Sequence, residues 1–146
     1  MNICIRNQNI DLFKYLSDDS VNLLMKDSPS HSIKAREIVF ACGTKPDYIV
    51  ILQQGELEII SPSGNAVGKV FPGEISGEAS FLDGSDASYT LRAMRDSQIL
   101  KISFKELDSF ISANPENGAR IHAAINDTLC QKIIRITHKG EEHAEA

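Results

Sequence analysis

Between residues 33 and 102 the chain is divided by Gly43, Gly55, Gly64, Gly68, Gly73, Gly77 and Gly84 into short β-branched runs. The runs fall at 38–40, 48–52, 57–60, 67–71, 89–93 and 99–102. The gaps between them are too short to hold a helix at every crossing, so a parallel sheet is excluded and an antiparallel sandwich or barrel is predicted. Ser61, Pro62, Ser63, Gly64 and Asn65 are turn formers in succession and read as a hairpin loop between two strands.

Helical patterns flank this region. Ile10, Phe13, Leu16, Val21, Leu24 and Met25 recur at roughly helical spacing, and Ser17 before Asp18 and Asp19 reads as an N-cap with an acidic first turn. Two short helices meeting at Ser17 are therefore expected. Ser103 and Glu106 have the spacing of a capping box for a helix reaching about Ser112. Asn114, Pro115 and Glu116 then open a last helix, expected to run to about His138. Its apolar stripe is Ile121, Ile125, Leu129, Ile133 and Ile136. The reading is one domain over 9–139, followed by a small, acidic, disordered tail over 140–146.

A chain of 146 residues with a net charge of −5 has the size for one real core and lacks the basic surface needed for nonspecific nucleic-acid or anionic-membrane binding. Cys4, Cys42 and Cys130 form no CxxC pair and read as buried or incidental thiols of a reducing cytoplasm. No apolar run is long enough to span a membrane and no signal peptide is evident, so a cytoplasmic location is expected. The four histidines, His31, His122, His138 and His143, leave the strand region without a metal cluster. Gly-x-Ser-x-Gly and Walker-type loops are absent as well. No catalytic residue, metal or cofactor is assigned, and the chain is not expected to be an enzyme.

The stretch that carries chemistry is FPGEISGEASFLDGSDASYTLRA, residues 71–93. Backbone N–H groups after Gly77 can point inward at the start of a short helix, and the Glu78 carboxylate can accept a hydrogen bond from a sugar hydroxyl. The loop that would close over an anion reads Ser85, Asp86, Ala87, Ser88, with no arginine.

Five segments in order resemble the cyclic nucleotide-binding domain family, the jelly roll of catabolite-activator-type proteins and kinase regulatory subunits. They are LFKYLSDDSVNLL, EIVFACGTKPDYIVILQQGELEII, PGEISGE, the cassette that follows it, and LRAMRDSQILKISFKELDSFISANPE. The resemblance spans about residues 12–139. It implies an eight-stranded antiparallel jelly roll with N-terminal helices and a long C-terminal helix. It also implies cAMP or cGMP as the ligand. Gly77 and Glu78 fall on the family's Gly-Glu pair, with Glu78 accepting the ribose 2′-OH and the N–H groups of Ala79 and Ser80 facing the cyclic phosphate. Ser88 falls on the small polar residue after the family's arginine. The arginine itself falls on Ala87, with Asp86 beside it, so binding of a cyclic nucleotide is expected to be weak or redirected to a related small anion. Arg92 shares the direction of Ser88 on strand alternation, and Thr128 and Lys132 on the last helix fall near the family's base contacts.

Two readings follow. One is a non-catalytic sensory module whose last helix repacks over a ligand. The other is a degenerate roll without nucleotide, acting in dimerisation or protein docking. A homodimer through the last helix is expected in either case. DNA binding is not expected of this chain, which ends soon after that helix without a helix-turn-helix pattern.

Overall fold

The computed structural model describes residues 10–145, with side chains as far as Lys132. After a single 3-10 turn at Asp11–Phe13 come helix α1 (Asp18–Met25) and strands β1 (Ser30–Ile33), β2 (Ile38–Phe40), β3 (Tyr48–Gln54), β4 (Leu57–Ile60), β5 (Ala66–Val70) and β6 (Ile75–Ser76). Helix α2 (Glu78–Asp83), strands β7 (Thr90–Ala93) and β8 (Ser97–Ser103), and helices α3 (Phe104–Ala113) and α4 (Pro115–Glu145) complete the chain. The eight strands pair antiparallel in two sheets of four, ordered β1-β8-β3-β6 and β2-β7-β4-β5. This is the jelly roll implied by the glycine-punctuated strands and by the family resemblance.

The caps lie where the residue types place them. Ser17 Oγ accepts from the Ser20 N–H at 3.2 Å and Ser103 Oγ from the Glu106 N–H at 3.0 Å. Asn114 Oδ1 accepts from the N–H groups of Glu116 and Asn117 at 3.2 and 3.4 Å. Each satisfies a donor that the first helical turn leaves without an internal acceptor. The hairpin at 61–65 closes through the Ser61 N–H, which donates to the Asn65 carbonyl at 2.8 Å.

β3 organises the core. Successive side chains of a strand point to opposite faces, and both faces of β3 are covered. Ile49 and Ile51, opposite Ile102 and Leu100 of β8, face a helical layer that includes Leu12, Leu24, Leu107, Ile121 and Ile125. Val50 and Leu52, with Ile99 opposite Leu52, face the roll interior among Leu57, Val70 and Leu91. Burial on both faces explains the unbroken apolar run at 49–52.

The stripe of α4 is divided. Ile121, Ala124 and Ile125 are buried in the helical layer and Leu129 packs at its edge, so the first half of the stripe is core rather than an open seam. Ile133, Ile136 and the expected tail at 140–146 lie outside the side chains described. Asp127, on the outer side of α4, accepts from the Tyr15 hydroxyl at 2.5 Å and pairs with Lys14 Nζ at 2.9 Å. The Tyr15 hydrogen bond and then the Lys14 ammonium hold the Asp127 carboxyl below its ordinary range, while the same contact raises Lys14. These groups are well exposed, so they orient α4 more than they stabilise it.

Of the two alternatives for the thiols, burial does not hold for the two described. Cys42 and Cys130 are free and exposed rather than buried, and Cys4 lies outside the described residues. Among the described residues no helix is long and apolar enough to cross a membrane, and no cluster of His, Cys, Asp and Glu has the makings of a metal site.

Gly55 opens the β3–β4 connection with φ +102°, and a Cβ there would stand 2.8 Å from the Cα of the buried Ser97. Backbone cannot yield to that contact. Gly55→Ala is therefore expected to lower the unfolding free energy by at least about 2 kcal/mol in urea titration, from left-handed strain plus overpacking. A loss under about 0.5 kcal/mol would contradict the packing described.

Candidate functional site

The sharp turn into α2 creates the site. Gly77 has φ +93°, and a Cβ on it would lie 2.8 Å from the Tyr48 carbonyl oxygen and 3.3 Å from the Phe40 ring. Only glycine lets the chain pass this close to β2 and β3 and start a helix at once. The next residue, Glu78, is thereby turned inward. Its side chain is 3% exposed. It is among the most deeply buried side chains of the fold.

A buried carboxylate needs a partner, and α4 supplies it. Lys132 Nζ reaches Glu78 Oε1 at 2.6 Å, the Ile75 carbonyl at 2.5 Å and Ser76 Oγ at 3.5 Å. The three donors of the ammonium thus meet three acceptors. Glu78 Oε2 is buried and has no hydrogen-bond partner among the described residues.

Glu78 and Lys132 line a cavity of about 360 Å³ between the sheets and α4. Gly77, Ala79, Ser80, Ala87 and Ser88 also line it, together with apolar Phe40, Ile59, Tyr89, Leu91 and Leu129. The first N–H groups of α2, which have no internal acceptors, belong to this wall. Seven of the eight residues singled out in the sequence therefore surround one cavity. The eighth, Thr128, is not among its lining residues: its hydroxyl donates to the α4 carbonyls of Ala124 and Ile125, at 2.9 and 3.0 Å.

The far wall is stitched in place by backbone. The Ala87 N–H donates to the Thr44 carbonyl at 2.7 Å, and the Gly43 N–H donates to the Ala87 carbonyl at 2.8 Å. The Cys42 N–H donates to Thr90 Oγ1 at 3.0 Å. This fixes the loop after α2 against the end of β2 and commits the Ala87 N–H. Asp86 stands exposed at the mouth. Just before it, hydrogen bonds from the hydroxyl and N–H of Ser85 hold the Asp83 carboxyl below its ordinary range.

Arg92 does not serve this cavity. Its Nε and Nη2 donate to Glu58 Oε1 at 2.9 and 2.5 Å, across the β4–β7 pair. The alternation expected from Ser88 to Arg92 fails because 88–89 form a bend, and the strand starts only at Thr90. Sequence reasoning passed over Phe40, Pro46 and Leu129, whose apolar character marks core as readily as cavity. It also passed over Lys45, an exposed residue whose Nζ would stand 3.9 Å from a Cβ on Gly84, although Lys45 does not line the cavity.

Comparison with known proteins bears on the fold and the family. The sequence profile of the cyclic nucleotide-binding domain matches residues 30–114. A potassium channel of Arabidopsis thaliana, KAT2, is 30% identical over 114 residues, which cover 76% of this chain and 16% of the channel. An uncharacterised NTE family protein of Mycobacterium tuberculosis is 21% identical over 108 residues, 74% of this chain and 18% of that protein. The chain thus spans less than a fifth of either relative, so only domain-level likeness passes between them. A cyclic nucleotide-binding domain from Methylobacillus flagellatus superimposes with a TM-score of 0.80 at 21% identity, covering 90% of this chain and 76% of that one. With a Gly-Glu turn at the head of α2, a jelly roll around it and more than half of the sequence within the profile, the chain belongs to the cyclic nucleotide-binding domain family.

Proposed function

We propose that this domain is a non-catalytic sensory module in which occupancy of the cassette cavity is reported by α4. One observation carries the reading. The carboxylate that faces the cavity, Glu78, is held by an ammonium from α4, Lys132. A ligand that donates to Glu78 bears directly on the contact that ties the last helix to the roll. A ligand shifts that helix only by its differential affinity for two arrangements, and a shared carboxylate is a plain source of such a difference.

cAMP and cGMP are weak ligands on this reading. The residue at the arginine position is Ala87, and charge-assisted hydrogen bonds to a phosphate contribute about 1.5–3 kcal/mol each. Isothermal titration is expected to give cAMP dissociation constants above about 10 µM for the unmodified chain. Ala87→Arg is expected to strengthen binding by about 10- to 1000-fold, since its backbone is already pinned and only the side chain is wanting. Submicromolar cAMP binding by the unmodified chain would overturn this.

The second reading, dimerisation through α4, is favoured by the length of the helix. Residues 115–145 amount to about 46 Å at 1.5 Å per residue, longer than the stretch up to Leu129 that packs on the helical layer among the described residues. Ile133 and Ile136, which continue the stripe in the sequence, are the residues we propose for a two-fold seam. Sedimentation equilibrium is expected to show a dimer that Ile133→Glu dissociates; a monomeric unmodified chain at high concentration would end this proposal.

A further inference from the structure

Among the described residues the cavity combines a hydrogen-bond acceptor for a ligand with no free cation. Glu78 Oε2 is buried, unpartnered among the described residues, and belongs to a side chain that lines the cavity. It calls for a donor such as a hydroxyl, because an unsatisfied buried acceptor is costly. Among the described residues Lys132 is the only cationic one of the lining, and its three donors already meet Glu78 Oε1, the Ile75 carbonyl and Ser76 Oγ. Asp86 adds a second carboxylate at the mouth. Two carboxylates against one ammonium leave the described lining with a net negative charge. The N–H groups at the head of α2 do not reverse this, since a helix of six residues develops little macrodipole. The remaining wall is apolar, with Phe40, Ile59, Tyr89 and Leu91 available to a flat ring.

We infer that the cavity selects an uncharged, hydroxyl-bearing ring compound of nucleoside size over its phosphorylated counterpart. The inference rests on the sensory reading above and adds the ligand's chemical class. The hydroxyl donates to Glu78 Oε2 and the ring lies among the apolar side chains. A cyclic phosphate at the Ala87 end carries a negative charge into a lining that is already negative, where Asp86 repels it and no free ammonium or guanidinium of the described residues receives it.

Adenosine and cAMP share base and ribose and differ in the phosphate, so they isolate the charge. The experiment is isothermal titration of both into the full chain and into the Glu78→Gln and Ala87→Arg variants, with each variant's fold checked by circular dichroism. Adenosine is expected to bind the unmodified chain at least about tenfold tighter than cAMP. Glu78→Gln is expected to weaken adenosine by about tenfold or more, and Ala87→Arg to reverse the order of the two ligands. Added salt is expected to improve cAMP binding by screening like charges while leaving adenosine unchanged. Tighter binding of cAMP than of adenosine to the unmodified chain overturns the ligand class but leaves the sensory reading standing, and makes Lys45 the next residue to replace. Binding of cAMP by Ala87→Arg alone, with adenosine silent throughout, also overturns the class. Silence of all three proteins toward both ligands removes the class and the sensory reading together.

Discussion

The contact between Glu78 and Lys132 joins the two halves of this fold. Glu78 stands at the head of the shortest helix, inside the roll; Lys132 stands on the longest helix, in the layer outside it. Neither charge is tolerable alone at that depth. A carboxylate 3% exposed beside apolar walls requires a counter-charge, and an ammonium 14% exposed requires acceptors. Their union fixes the position of α4 over the cavity. It also occupies the one cation of the described lining and leaves Glu78 Oε2 without a partner among the described residues.

Several features upstream make that contact possible. Gly77 allows the backbone to pass against Tyr48 and Phe40 and turn Glu78 inward. β3, buried on both faces, sets the spacing between the roll interior and the helical layer. The Asn114 cap starts α4 at a defined point, and Ile121 and Ile125 seat it on the outer face of β3 and β8. Lys132 then lies two turns beyond Ile125, over the cavity. The Tyr15 and Lys14 contacts to Asp127 hold the same helix from the N-terminal side. Sensing in such an arrangement needs no large rearrangement, only a ligand whose donor competes for, or completes, the coordination of one carboxylate.

Much of this architecture is legible in the sequence because it rests on local rules. The caps at Ser17, Ser103 and Asn114 follow from residue type and spacing, and six strands follow from β-branched runs between glycines. β1 and β6 escape for opposite reasons. Ser30–Ile33 is polar and becomes a strand by pairing with β8, while Ile75–Ser76 is too short to show any period. The site residues from Gly77 to Ser88 are legible as a cassette. Their protonic and ionic relations are not, since Lys132 lies 54 residues from Glu78 and nothing in the intervening sequence marks them as partners. The same distance explains the treatment of Thr128 and Lys132 as a pair. They share a helix, yet one turns its hydroxyl to the helix backbone and the other reaches the cassette.

The most direct test of the account is a double-mutant cycle on Glu78→Gln and Lys132→Met, read by urea denaturation of the full chain. Each single change leaves the remaining partner in a buried site and is expected to cost roughly 3–5 kcal/mol. The double change is expected to recover a large part of that loss, giving a coupling energy above about 1 kcal/mol. Additivity of the two single effects within about 0.5 kcal/mol would contradict a direct link between the cavity and the last helix.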